Sequence, residues 1–151
     1  MEFRIDHFGL AVADLDQSLA QYTELFGYRL VRGPFDDPHQ QARVAFISCA
    51  SDQAALLELV APLSPGSQVE RLLAKGVGLY HVCYETPDIE EAIAYLRRRG
   101  CLLISGPTPA VAYESRPIAW LYTPSRQLTE LVEAPRQTST PGSPQDAEGA
   151  P

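Results

Sequence analysis

LLELVAPL (residues 56–63) and LTELVEAP (residues 128–135) are nearly one phrase written twice. Each sets a glutamate, Glu58 or Glu130, inside an apolar run with the alternation expected of a strand. A surface loop has no reason to repeat that pattern, and the repeat extends well beyond it. IDHFGLAVADLDQSLAQYTELFGYRLV, from Ile5, matches LYHVCYETPDIEEAIAYLRRRGCLLIS, from Leu79. His7 falls on His81, Asp14 on Asp88, Leu15 on Ile89 and Leu19 on Ile93, all at a spacing of 74. VAFI (residues 44–47) falls on IAWL (residues 118–121) at the same spacing, and the two opening phrases follow at 72 after a small deletion. Matches that recur in the same order mark an internal duplication.

Each copy reads as βαβββ. A short strand, HFGLAV or HVCYET, leads into a helix capped by Asp14 or Asp88, with apolar positions at helical spacing behind the cap. Gly27 and Gly100 fall where those helices should end. Three strands follow in each copy: YRLVRG, ARVAFISC and AALLELVAP, then CLLISG, RPIAWLY and QLTELVEAP. Residues 63–78 read as a turn, a short helix and a second turn. The expected fold is α+β, two tandem βαβββ modules (residues 3–63 and 77–135) in one domain over residues 1–135. Residues 136–151 are Pro, Gly, Ser and Thr with almost no apolar side chain, and are expected to form a disordered tail.

Composition excludes several partners. A formal net charge of -7 and a pI near 4.9 argue against nucleic acid, whose phosphates need clustered Lys and Arg. No apolar run reaches the length of a membrane span. The N-terminal segment lacks a basic start followed by an apolar stretch, and the three cysteines are scattered without a CxxC pair. Both features lead to the expectation of a cytoplasmic protein with free thiols. Eleven arginines against one lysine suggest a high-GC bacterial genome.

Residues two apart share a strand face. His7 therefore lies with Ile5, Gly9 and Ala11, Glu58 with Leu56 and Val60, His81 with Leu79 and Cys83, and Glu130 with Leu128 and Val132. A carboxylate among such neighbours is costly unless paired, protonated or metal-bound. A single strand histidine is more often a hydrogen-bonded packing residue than a ligand. A His and a Glu recurring at matching positions of a repeat instead suggest two half-sites that close where the modules pair, with the metal between curved sheets. The resulting N2O2 set suits one divalent ion among Mn, Fe, Co, Ni and Zn.

Taken together, the paired modules with His in the first strand and Glu in the last resemble the vicinal oxygen chelate superfamily over Phe3 to Pro135. The superfamily includes glyoxalase I, extradiol dioxygenases, bleomycin-resistance proteins and methylmalonyl-CoA epimerase. HFGLAVADLDQSLAQY, GLYHVCYETPDIEEAIAYLRRRG and LTELVE are similar to the opening, central and closing segments of the epimerases. The resemblance implies His7, His81 and Glu130 as metal ligands. Glu58, in ELVAPL, stands where a well-known epimerase pattern carries a Gln, and completes a glyoxalase-like two-His, two-Glu set. The resemblance further implies an isomerase or epimerase that abstracts a proton α to a carbonyl, with Glu130 or Glu58 as ligand and base. It also implies a small-molecule substrate of the acyl-CoA kind.

Two departures from the family pattern stand out. Gln40 occupies the place of an epimerase glutamate acid/base group, and His39, Asp36 and Asp37 lie beside it. PAVAYESRPIAW replaces a Gly- and His-containing loop, which puts Tyr113, Glu114 and Arg116 at the site mouth or in solvent. Gln40, Tyr113 and Arg116 are the substrate-binding candidates. A glyoxalase-type lyase or a biosynthetic tailoring enzyme would use the same metal. A ligand-sequestering protein of the resistance kind generally lacks a full ligand set. Modules of this kind pair within one chain or between two, and a homodimer is the favoured expectation.

Overall fold

In a computed structural model that describes residues 1–49 and 56–136, the two copies fold as the repeat requires. The first contains β1 (Arg4–Ala11), α1 (Leu15–Phe26), β2 (Arg29–Asp37), β3 (Ala42–Ser48) and β4 (Leu56–Pro62). A connecting helix, α2 (Gln68–Ala74), leads to β5 (Leu79–Thr86), α3 (Ile89–Arg97), β6 (Leu102–Pro109), β7 (Pro117–Tyr122) and β8 (Leu128–Glu133). Ala54 and Ala55 of the expected AALLELVAP strand, and the expected tail beyond Arg136, lie outside the described residues.

The capping residues act as their positions imply. Asp14 accepts a hydrogen bond from the Gln17 amide and Asp88 from the Glu91 amide, each at 2.8 Å. Gly27 ends α1 in the left-handed conformation. Helix α3 stops at Arg97, three residues before Gly100, because residues 98–100 form a terminating turn. Arg99 folds back there, its guanidinium 3.6 Å from the Tyr95 ring centroid, and donates to the Tyr95 carbonyl.

All eight strands join in one sheet, ordered β2-β3-β4-β1-β5-β8-β7-β6. The modules therefore pair within the chain, along an antiparallel seam between β1 and β5. Each last strand lies parallel to its own first strand, β4 beside β1 and β8 beside β5. The module helices α1 and α3 cover one face, and α2 packs at the other. Leu15 of α1 packs on Ala45, Ile47, Leu59 and Ala61, and Ile89, Ala92 and Ile93 of α3 pack on Ala119, Leu121 and Leu131. Strand alternation sends Val44, Phe46, Val60, Cys83, Ile118 and Val132 to the other face.

That second face is concave. In a flat sheet of this order β2 and β6 would lie about 34 Å apart. Here Arg32 of β2 donates to the carbonyl of Ala112, in the segment after β6, at 3.4 Å. The sheet curls so that the 110–116 segment after β6, with a 3-10 turn at Val111–Tyr113, reaches β2 and roofs the concave side.

Candidate metal centre

Strand register brings the repeated residues together. Across the seam His7 pairs with Cys83 and Gly9 with His81, so the two histidines sit diagonally on neighbouring strands and on one face. In the parallel pairs Gly9 lies beside Glu58 and Cys83 beside Glu130. Phe46 stands beside Glu58 and Trp120 beside Glu130, extending the duplicate relation to the flanks.

The four side chains are buried and their tips converge. His7 Nε2 lies 3.0 Å from His81 Nε2 and 3.2 Å from Oε2 of both Glu58 and Glu130. His81 Nε2 lies 3.4 Å from each of those oxygens. Nitrogen and oxygen ligands about 2.0–2.2 Å from an ion stand about 2.8–3.6 Å from one another in tetrahedral or octahedral sites. The observed separations fall within that range, and an N2O2 set of this kind fits a divalent first-row ion. Among the described residues the buried His81 Nδ1 has no hydrogen-bond partner, and His81 is held by packing against Tyr80 and Trp120 and by its tip.

Charge balance leads to the same conclusion. Burial opposes ionisation of Glu58, but the charges and hydrogen bonds of His7 and His81 outweigh it and hold its carboxyl down at about 2. Glu130 is lowered by the same histidines against the same burial. Burial likewise disfavours the imidazolium of His7, yet Glu58 first, then hydrogen bonds to Asp6, Cys83 and Glu130, raises it well above its ordinary value. His81 is raised by the two glutamates. Two buried carboxylates thus need compensating positive charge, which imidazole protonation or one divalent ion would supply.

A pH dependence follows with a definite sign. Both histidines are raised, which favours protonation of the ion-free cluster, and a binding cation would displace such protons. Cobalt affinity is expected to rise with pH through the neutral range, about tenfold per unit for each proton displaced. Titration calorimetry in buffers of different ionisation enthalpy measures the released protons directly. A pH-independent affinity between pH 6 and 8 contradicts the scheme.

Beyond the four tips, Asp6 carries a half-buried carboxylate against His7. Nδ1 of His7 donates to Asp6 Oδ2 at 2.9 Å, and the Tyr113 hydroxyl donates to the same oxygen at 2.5 Å. Burial raises Asp6, but those two hydrogen bonds and the charges of His7 and Arg32 leave it below its usual range. Arg32 stacks over Phe46 and Tyr113, with its guanidinium carbon 4.1 and 4.7 Å from the ring centroids.

Glu58 and Glu130 line a cavity of about 400 Å³ on the concave face, walled by Val44, Val60, Trp120 and Tyr122. A second recess of about 470 Å³, bordered by Phe3, Tyr84, Leu96 and Leu131, lies on the α3 side and includes neither glutamate. His81 borders that recess, whereas both carboxylates open onto the concave cavity. Gln40 lines it, with its side-chain amide 3.4 Å from Asp37 Oδ2. Tyr113 also lines it, though its hydroxyl is turned to Asp6 and His7. Arg116 is not among the lining residues. Its guanidinium donates to the Glu133 carbonyl at 2.7 Å and lies 3.6 Å from Glu85, so the expectation of a substrate contact there gives way to a structural one.

Three participants escaped the sequence reading, and a fourth, Asp37, enters it only as a neighbour of Gln40. Gly9 offers His81 the space its ring occupies, since a Cβ there would sit 1.8 Å from His81 Cε1. Asp6 supports His7. Asp37 is a buried carboxylate lining the cavity and accepting the His39 and Gln40 amides. Arg71 of α2 is the cationic side chain on the lining. Asp6 had a readable signal, a carboxylate beside a candidate ligand histidine; the others depend on how distant strands pair.

Eight strands curled around a His2Glu2 cluster define the class. The model of the glyoxalase/bleomycin resistance protein/dioxygenase superfamily matches residues 6–120, and the chain belongs to that superfamily. Among relatives, it is 31% identical over 121 residues to an ethylmalonyl-CoA/methylmalonyl-CoA epimerase of Cereibacter sphaeroides, covering 79% of this chain and 87% of the other. A methylmalonyl-CoA epimerase in complex with methylmalonyl-CoA and NH4+ superposes with a TM-score of 0.76 at 28% identity, covering 89% of this chain and 96% of that one. The methylmalonyl-CoA epimerase of Mycobacterium tuberculosis gives a TM-score of 0.75 at 30% identity, over 87% and 88% of the two chains. No helix among the described residues is long and apolar enough to cross a membrane.

Proposed function

We propose that this chain is a divalent-metal-dependent enzyme that moves a proton at the carbon α to the carbonyl of an acyl-CoA thioester, as an epimerase does. The observation that carries the reading is the buried cluster of His7, Glu58, His81 and Glu130, whose two carboxylates line a 400 Å³ cavity. The similarity to acyl-CoA epimerases supports the substrate class.

His7, His81, Glu58 and Glu130 would hold the ion. When bound, it supplies positive charge that offsets negative charge developing on a carbonyl oxygen. The remaining work falls to the protein. Glu130, ionised at neutral pH, takes the α-proton. Val44, Val60 and Trp120 wall the cavity with apolar surface and limit water at the reacting carbon. Return of a proton to the opposite face needs a second titratable group. Gln40 has none, which leaves Glu58 and Asp37 among the lining carboxylates.

The presence of Gln40 also favours a second reading, a glyoxalase-type lyase that needs only one base at the same centre. Protein loaded with cobalt or manganese in D2O separates the two. Deuterium entering the α-carbon of ethylmalonyl-CoA or methylmalonyl-CoA, and lost in Glu130→Gln, is the expected result. Exchange on a glutathione hemithioacetal but on neither acyl-CoA would establish the lyase instead, and no exchange on either class would sink both.

A further inference from the structure

We infer that Tyr113 is a positioning residue for the metal centre, acting through Asp6 on His7, and that it couples closure of the 110–116 roof to ion binding. This rests on the metal reading above. Tyr113 is 3% exposed, and its hydroxyl lies 2.5 Å from Asp6 Oδ2 and 2.9 Å from His7 Nδ1. Its ring stacks 6.3 Å from that of His7 and meets Phe46 edge-on. A carboxylate that accepts the outer N–H of a ligand histidine fixes the ring's tautomer and aims the other nitrogen's lone pair at the ion. Asp6 does this for His7. Tyr113 in turn fixes Asp6, donating to the same oxygen that receives the histidine proton.

The arrangement has no counterpart in the second module. Tyr80 stands one residue before His81, as Asp6 does before His7, and among the described residues His81 Nδ1 has no partner. The two histidines are therefore unequal, His7 anchored from behind by a carboxylate and His81 backed by packing alone. Tyr113 comes from the far module, 107 residues from Asp6, on the segment that roofs the concave face. Glu114 and Ser115, next along that segment, hold φ of 53° and 68°, a left-handed conformation that residues other than glycine adopt only when held there. The Tyr113 anchor and the Arg32 bond to Ala112 help hold it, with the backbone bonds of the turn and the Arg116 bond to Glu133.

Linkage between two sites is reciprocal. If the closed roof improves the His7 ligand, a bound ion must steady the roof by the same factor. Amides of Ser115 and Arg116, bonded to the Ala110 and Tyr113 carbonyls, report on it.

The test is cobalt titration of the parent chain, Asp6→Asn, Tyr113→Phe and the double variant, with hydrogen exchange of residues 113–116 before and after loading. Asp6→Asn is expected to weaken cobalt binding 10- to 100-fold, about the range for lost outer partners of ligand histidines. Tyr113→Phe keeps the ring in place and is expected to weaken it about tenfold, on the same principle. The double variant should bind like Asp6→Asn alone, because the hydroxyl acts through that carboxylate. Loading should slow exchange at Ser115 and Arg116 in the parent and leave it unchanged in Tyr113→Phe. A Tyr113→Phe protein that binds cobalt as tightly as the parent, or whose roof still responds to loading, overturns the inference while the metal reading stands. A parent chain that binds no ion overturns both. Should Asp6→Asn fail to fold, Tyr113→Phe decides alone.

Discussion

Gly9→Ala is expected to destabilise the protein by about 3 kcal/mol or more, the upper end for overpacked sites, and to abolish the metal centre. The new Cβ would lie 1.8 Å from His81 Cε1, 2.1 Å from Nδ1 and 2.5 Å from Nε2, so it overlaps the ring itself. His81 cannot step aside. Trp120 meets its ring edge-on at 4.8 Å and Tyr80 does so at 4.5 Å, while its tip is held by two carboxylates. The seam cannot widen without losing the β1–β5 ladder that joins the modules. For a domain of this size a loss of that magnitude lowers the melting temperature by about 10 °C. Thermal melting and cobalt titration check both parts. The double variant Gly9→Ala, His81→Ala should recover stability without recovering the ion, because the clash disappears with the ring. A Gly9→Ala protein that melts with the parent contradicts the packing described here.

The repeat made much of this legible in advance. Two Asp caps, two apolar helical faces and two Glu-bearing strands at matched spacing specify the module twice, because each depends on neighbours a few residues away. The four-residue set could be read for the same reason, since alternation alone puts each His and Glu on an inward face. What the sequence did not reveal is what depends on distant pairing. Gly9 becomes a requirement only once β5 lies antiparallel to β1 and brings His81 opposite. Tyr113 could be placed at the mouth, but its bond to Asp6 spans the modules and needs the curl of the sheet. Arg116 looked available for a substrate because its partners, Glu85 and the Glu133 carbonyl, belong to strands whose neighbours local pattern does not specify.

The two glutamates occupy equivalent places in the repeat, yet unequal results are expected from their amide variants. Each Oε2 stands 3.2 Å from His7 Nε2 and 3.4 Å from His81 Nε2, so distance to the histidines does not separate them. The epimerase pattern does. It carries a Gln at the position of Glu58 and keeps a Glu at that of Glu130, which implies that an amide oxygen suffices as a ligand at the first place. Glu58→Gln should therefore retain the ion and keep α-proton exchange within about tenfold of the parent, since a ligand is exchanged and the base is kept. Glu130→Gln keeps the shape and a ligand oxygen but removes the base, and a general base is worth about 10²- to 10⁴-fold in rate. Its exchange rate should fall by that factor while cobalt still binds more tightly than in His81→Ala. Deuterium exchange on both variants, normalised to bound cobalt, makes the comparison. Equal losses at the two positions would mean that the carboxylates share the proton, and a larger loss at Glu58 would move the base to the first module.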